Sequence, residues 1–600
     1  MLTQADISAE VEGQTVTSRF RDTVRELPDR VALRAKDGDG WVEYTYADYA
    51  DSACKVAAGL GAAGLQKGDR VVLMMRNIPE FHWTDMGVLL AGGTPISIYN
   101  SSAPDQVQYL VSHCGATVAI VEDEEFLGRI QEVWDQLPDL KTVFVLHTPE
   151  SGLPDGVSDW DELTDHDPVD LDEAAEICAP EDLLTLIYTS GTTGPPKGVM
   201  LSHHNITWLS GSYDHVPQPS RSGMRLVSYL PMAHIAERAV SYYMATLLGQ
   251  EVTTCPDPKL LAEYLPECRP QLFFAVPRVW EKLYGGIQSA LAADPERKQK
   301  FDEAVAVGDQ VRKLRESRQE IPAELQETYD FVDAVAFSNV KALIGLDQCE
   351  IAVTGAAPIP PEIINFFSNI GIPLSSVYGL SETTGPITWT HEDRRTSTVG
   401  PAIPGCQVIL GEDGEVLGKG GNIFLGYYND PERTAEVMDD EGWFHTGDIG
   451  EFDDDGQLRI VDRKKELIIT AGGKNISPAN LEAALKAHNL VGQVCVIGDN
   501  KPFLSALIVV DGDVAPAWAA AQGIEFTTMA DFIEEPVVRQ VISDWVTEAN
   551  GQFSRVEQIK KYTLLGEEWQ PDSEFLTPTM KLKRRGVHST YVDEIEAMYN

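Results

Sequence analysis

The chain has 600 residues, 43% hydrophobic and 23% charged, which is ordinary for a folded globular protein and too long for one hydrophobic core, so at least two domains are expected. Its 47 Lys and Arg stand against 93 Asp and Glu, a formal net charge of -46, which argues against nucleic acid or an anionic membrane surface as the main partner because most of the surface would repel either. The excess acid reads as a solvated surface, so an anionic substrate must enter through a local basic patch.

The N-terminal stretch MLTQADISAEVEGQTV has neither the basic nor the apolar region of a signal peptide, and no run of about 18 apolar residues follows. The eight cysteines are scattered from Cys54 to Cys495 without a CxxC pair. These features predict a cytoplasmic protein with reduced, mostly buried thiols and no transmembrane segment, and they leave weak peripheral membrane contact open.

Helix and strand signals alternate from Thr45 onward. TYADYADSACKVAAGLGAAG opens with a capping box at Thr45 and Asp48 and keeps an apolar face at helical spacing. RVVLMM, TPISIY and TVAIVE follow as short apolar runs separated by the helical segments PEFHWTDMGVLLAGG and PDQVQYLVSHCG. Strands separated by helices predict parallel, doubly wound α/β sheets. Similar runs recur at LLTLIY (183–188), RLVSYLP (225–231), QLFFAVP (271–277) and EIAVTG (350–355), with a charged stretch over 285–345 that reads as a solvated amphipathic helical insertion. After Ser397 the chain becomes rich in glycine and β-branched residues, predicting a small β subdomain over about 397–461. The expected organisation is a large N-terminal domain over 1–461 and a small, mobile α+β C-terminal domain over 462–600.

Three patterns are discounted on context. GLGAAG (59–64) matches a dinucleotide fingerprint but closes a helix and precedes a strand, the reverse of what a Rossmann turn requires. DDDG (453–456) lacks the glutamate that completes a calcium loop. HExxH and GxSxG are both absent, so nothing points to a hydrolase.

YTSGTTGPPKG (188–198) is a different matter. Walker A requires glycine before its lysine and a hydroxyl after it, whereas Pro196 precedes Lys197 and Gly198 follows, and VMLSHHN beyond reads as a strand. Even so, Gly191 and Gly194 let backbone N–H groups converge on an anion, Thr189, Ser190, Thr192 and Thr193 add hydroxyl donors, and Lys197 adds charge.

With the segments that follow it, this loop resembles the signatures of the adenylate-forming superfamily of acyl-CoA synthetases, firefly luciferases and peptide-synthetase adenylation domains. SYLPMAHIAER (228–238), VTGAAPIPPEI, VYGLSETTG, EGWFHTGDIG, DRKKELIITAGGKNISPANLE and TPTMKLKRRGV come in the family's order and cover essentially residues 20–590. Met580 stands where many members have glycine, a variation also found among long-chain enzymes. FFAVPRVWEK (273–282), the charged insertion and GDNKPFLSALIV are similar to segments of long-chain fatty acyl-CoA synthetases.

The resemblance implies ATP-dependent joining of a long-chain fatty acid to AMP, then transfer to coenzyme A, with Mg2+ accompanying ATP. It assigns the β and γ phosphates to the 189–198 loop, Mg2+ to Glu382 with Thr189, adenine to Gly355, Ala356, Ala357, Tyr378 and Gly379 with Thr383 beside them, the ribose to Asp448, and the ribose or α-phosphate to Arg463. Lys581 would neutralise the carboxylate and α-phosphate, and His234 would orient the acyl carboxylate. Asp462 to Lys464 would form the hinge of a rotating domain, bringing Gly472, Gly473 and Lys474 to the pantetheine arm. Two rivals stay open: a fatty acyl-AMP ligase that loads a carrier protein, and a non-catalytic nucleotide- or lipid-binding protein.

Overall fold

The computed structural model describes residues 2–189, 195–217, 220–469, 475–577 and 580–600. The first region follows from its local signals. The Asp48 N–H donates to the Thr45 hydroxyl at 3.2 Å and the Thr45 N–H to the Asp48 carboxylate at 2.8 Å, starting the helix Tyr46–Ala62. At its far end a Cβ on Gly59 would sit 1.9 Å from the Leu163 carbonyl oxygen, so the dinucleotide-like glycines serve close packing and a turn.

Five parallel strands form one sheet in the order Thr94–Ser97, Arg70–Met74, Val118–Val121, Thr142–Val145, Val157–Asp159. A second sheet runs Arg225–Ser228, Glu251–Thr254, Val31–Asp37, with Gly40–Thr45 antiparallel at its edge. The helix Pro79–Leu90 buries every residue but Glu80 because it lies between these sheets, and Phe81 and Met86 share one core with Leu73 of the first and Leu33 of the second. A third parallel sheet, Leu272–Ala275, Ile351–Thr354, Leu374–Ser376, continues the second through the Gln271 N–H bond to the Arg225 carbonyl at 2.8 Å.

The charged helical region differs from expectation. It begins at Pro277 and comprises Pro277–Ala292, Pro295–Glu316, Ala323–Val332 and Ser338–Leu343, the last two running on through the π-helical stretch Asp333–Phe337. It is only half solvated: Phe301, Ala304 and Val311 are buried with Phe367 and Ile370, and a Cβ on Gly308 would stand 2.2 Å from the Asn369 carbonyl oxygen. Spacings of three and four residues put these positions on one face, which covers the third sheet while the charges face water.

The β subdomain is an antiparallel sheet of Gln407–Leu410, Glu415–Lys419, Phe444–Phe452 and Leu458–Arg463. DDDG turns between its last two strands, with Asp453 paired to Arg395 at 2.9 Å. The C-terminal sheet runs Val491–Ile497, Leu504–Val510, Ile559–Leu565, covered by helices that include Pro478–Lys486 and Pro536–Asn550. Its cores take in residues from Ile468 onward, whereas the clusters of the N-terminal part end at Ile460. Asp462 and Arg463, expected to open the second domain, lie on the last strand of the β subdomain. All eight cysteines are free thiols, six of them buried. Among the described residues no helix is long and apolar enough to cross a membrane.

Candidate active site

A cavity of about 2550 Å3 opens at the carboxyl ends of the third sheet's strands and runs between the two domains. Thr189, Lys197, His234, Glu382, Asp448, Arg463 and Lys581 all line it, although they come from distant parts of the chain.

Thr189 ends the strand Leu183–Thr189 and stands opposite Lys197 on the antiparallel strand Lys197–Ser202. Ser190, Gly191, Thr192, Thr193 and Gly194 lie outside the described residues. The lysine opens a strand here, and a helix, His203–Asp214, starts only after Ser202, so the helix N-terminus of a Walker loop is not at the lysine. The Lys197 ammonium stands 4.6 Å over the Tyr427 ring, and burial, followed by Arg433, lowers its pKa. The Tyr427 hydroxyl in turn donates to Glu382 at 2.8 Å. Tyr427, which the motifs do not single out, therefore links the lysine to the carboxylate.

Glu382 rides on the one-turn helix Ser381–Thr383. Thr383, expected at the nucleotide, is fully buried, and its hydroxyl is used by this turn: it accepts from Leu380 N–H at 2.8 Å and donates to the backbone oxygens of Leu380 and Gly385. A Cβ on Gly379 would meet the Gly385 carbonyl oxygen at 1.9 Å, so only glycine admits the hairpin that presents Glu382. No cluster of three or more metal-ligating side chains occurs among the described residues. A single carboxylate, Glu382, with the Thr189 hydroxyl on the same cavity lining still fits Mg2+, which keeps several waters and takes further oxygens from substrate phosphates.

Gly355 follows the strand Ile351–Thr354, and Ala356 beside it has φ 70, a left-handed conformation. With Ala357 they form a small-residue stretch that lines the same cavity as Tyr378 and Gly379. The Tyr378 ring is fixed from its far end, since its hydroxyl donates to Asp448 Oδ2 at 2.6 Å. Asp448 Oδ1 pairs with Arg463 Nε at 2.9 Å. Burial raises the Asp448 pKa while Arg463 and then Tyr378 pull it back. Each carboxylate oxygen keeps a free lone pair, so the group can still accept from a pair of vicinal hydroxyls.

Lys581 reaches this cluster from the C-terminal domain. It remains accessible from the cavity, yet the surrounding protein and then Arg463 lower its pKa, with Asp448 and Glu382 opposing. The preceding Met580 has φ 63, the left-handed region that favours glycine, which gives a physical reason for the glycine found there in many members. The Met580 side chain packs on the domain's own core beside Trp569 and Leu576. His234 caps a short turn by accepting the Ala236 N–H on Nδ1 at 3.1 Å, which assigns the ring proton to Nε2. Burial, then Lys581, pushes its pKa down to about 3, so it is a neutral donor.

At the expected hinge, Asp462 accepts from the Ser477 hydroxyl at 2.6 Å and the Ala479 N–H at 3.2 Å, bracing the start of the first C-terminal helix. Lys464 reaches back to Asp413 at 2.5 Å and Glu415 at 2.9 Å in the β subdomain. The two residues thus hold opposite sides of the junction. Gly472, Gly473 and Lys474 lie outside the described residues.

The cavity also has an apolar arm. Phe274 and Val377 lie beside Gly355, and from them the lining continues past Val353 and Ile351 to Tyr213 and Trp389. These last two rings stack 5.6 Å apart, and the Trp389 N–H donates to the Ser375 hydroxyl at 3.0 Å. The arm could not be read from the sequence because its residues come from five separate segments.

The fold matches the adenylation domain of the carboxylic acid reductase from Segniliparus rugosus, solved with AMP and a co-purified carboxylic acid, at TM-score 0.75 and 19% identity over 100% of this chain and 96% of that one. In sequence, the long-chain-fatty-acid–CoA ligase FadD15 of Mycobacterium bovis is 34% identical over 98% of both chains. ACSBG2 of Xenopus laevis, also named a long-chain-fatty-acid–CoA ligase, is 33% identical over 98% of this chain and 84% of its own. Residues 20–428 match the family described as AMP-binding enzyme and residues 465–600 its C-terminal domain, so the chain belongs to the AMP-binding enzyme family.

Proposed function

We propose that this protein is an ATP-dependent long-chain fatty acid–CoA ligase that works through an acyl-adenylate. The observation that carries the reading is the joining in one cavity of a charged end, built from Asp448, Arg463, Glu382 and Lys581, to an apolar arm. At about 2550 Å3 the cavity exceeds what one drug-sized ligand fills, which suits a nucleotide and an acyl chain together.

A carboxylate is a poor electrophile, since a thiol attacking it would have to expel oxide. In the first step a carboxylate oxygen attacks the α-phosphorus of ATP and pyrophosphate leaves. Tyr378 and the backbone of Gly355 to Ala357 hold adenine, and Asp448 accepts the ribose hydroxyls. Neutral His234 donates Nε2–H to the acyl carboxylate, orienting it without drawing off the charge that makes it a nucleophile. Lys581 and Arg463 offset the negative charge where carboxylate and α-phosphate meet, and Lys197 holds the departing pyrophosphate. Glu382 and Thr189 would hold Mg2+, which when bound neutralises phosphate charge. In the second step the CoA sulfur attacks the acyl carbon, the thiol proton is lost and AMP leaves. This step needs Lys581 no longer, and the hinge at Asp462 to Lys464 lets the small domain withdraw it and present Gly472, Gly473 and Lys474.

Incubation with ATP, Mg2+, palmitate and CoA should yield pyrophosphate, AMP and palmitoyl-CoA. Absence of both pyrophosphate and AMP would overturn the enzyme reading, and palmitoyl-AMP accumulating without palmitoyl-CoA would transfer it to a carrier-protein acceptor.

A further inference from the structure

The two domains have separate cores, so what aligns Lys581 with the nucleotide must be sought among polar contacts between them. Away from the hinge, Arg278 pairs with Asp511, and Lys282 pairs with Asp513 at 2.9 Å. The second pair is exposed on both sides and contributes little. The first is not: Asp511 is 3% exposed and the Arg278 side chain 23%.

Both partners are firmly held. Arg278 is in the first turn of the helix Pro277–Ala292, directly after the strand Leu272–Ala275, whose neighbour Ile351–Thr354 delivers Gly355 to the cavity. Glu281, 3.5 Å away on the same helix, keeps the guanidinium turned toward the interface. Asp511 follows the central strand of the C-terminal sheet. Its Oδ1 accepts the N–H groups of Asp513 at 3.0 Å and Val514 at 3.1 Å, bracing the turn into the helix Ala515–Gln522, while its Oδ2 receives Arg278. One carboxylate thus ties a turn of its own domain with one oxygen and the other domain with the second.

We propose that Arg278 and Asp511 are a positioning pair that seats the C-terminal domain with Lys581 over the reacting carboxylate and α-phosphate. Neither residue touches substrate; each acts through Lys581. The pair therefore favours the domain arrangement that serves adenylation, and the later thioester step does not depend on it. Removing it shifts the population of domain arrangements away from the seated one.

The consequence for turnover rests on the proposed two-step reaction and is measured by half-reactions. In Arg278→Gln, ATP–pyrophosphate exchange with palmitate should fall about tenfold, as loss of a desolvated charge pair implies. Thioester formation from supplied palmitoyl-AMP and CoA should stay within about twofold, and Arg278→Lys should recover part of the loss, because a compact charge replaces part of a forked one. A second readout needs no turnover: acetylation of Lys581 by an amine-reactive reagent, followed by mass spectrometry, should differ roughly threefold between Arg278→Gln and the wild type, because leaving the seated arrangement changes the surroundings that lower its pKa. Equal losses in both half-reactions, or Lys581 labelling unchanged from the wild type, would overturn the pair's role. If the wild type itself shows no exchange, the proposed function fails, and the labelling still decides the pair.

Discussion

Asp448→Asn removes one charge and almost no volume. Its two oxygens face different donors, Arg463 Nε at 2.9 Å and the Tyr378 hydroxyl at 2.6 Å. An amide offers one oxygen and one NH2, so one donor must lose its acceptor. Breaking a fully buried pair costs about 3–5 kcal/mol. The Arg463 side chain, however, is 47% exposed toward the cavity. Water therefore screens it, and the stability loss should be nearer 1 kcal/mol. The larger effect falls on the nucleotide. A ribose hydroxyl bonded to a carboxylate is worth about 1.5–3 kcal/mol more than one left unmade. Losing one such bond predicts a fall of roughly 10- to 100-fold in kcat/KM for ATP. Pyrophosphate release should be measured for both proteins with ATP, 2′-deoxy-ATP and 3′-deoxy-ATP. The penalty of the substitution should shrink with the analogue that lacks the partner hydroxyl. An equal penalty with all three nucleotides would refute the ribose assignment.

Lys581→Ala should cut adenylation about 100-fold or more while leaving thioester formation from supplied acyl-AMP within about threefold; equal loss in both half-reactions would undo the assignment. Trp389→Ala should lengthen the apolar arm, raising the ratio of kcat/KM for stearate over palmitate roughly tenfold, since each of two further buried methylenes is worth about 0.8 kcal/mol; an unchanged ratio would place the chain elsewhere. Burial pushes the pKa of His82 down to about 3 and of His203 down to about 4, both well below the unfolded value near 6.5. Their stabilisation is therefore present above pH 6.5 and is lost as pH falls below it, because the unfolded chain binds protons that the native state excludes. Between pH 7.5 and 5.5 the two should together remove about 3 kcal/mol. In denaturant titrations His203→Gln should lose about half of that drop relative to the wild type, a comparison in which the carboxylates cancel, and equal slopes would refute it.

The features legible in the sequence are those carried by neighbouring residues. The capping box of Thr45 and Asp48 and the strands Arg70–Met74 and Ile351–Thr354 appear where periodicity and turn chemistry put them. The GLGAAG run was separable from a nucleotide fingerprint by its place at a helix end. Most of the polar lining was legible too, because Thr189, Glu382, Asp448 and Lys581 sit in short segments whose order is itself a pattern. Thr383 misled because a hydroxyl in a Gly/Thr turn serves ligand or backbone equally well by its sequence, and only its burial decides.

What the sequence determined by itself is the set of elements and the chemical inventory of the cavity, since helix and strand periods and the residues beside glycines are local properties. What tertiary structure alone decided is which of those groups meet. Tyr427 reaches Glu382 across 45 residues, and Arg278 reaches Asp511 across 233. Trp389 stacks on Tyr213 from another segment altogether. None of these contacts has a period or a spacing rule, because each depends on how whole sheets and domains pack, and that packing brings an apolar arm, a nucleotide face and a distant lysine into one cavity.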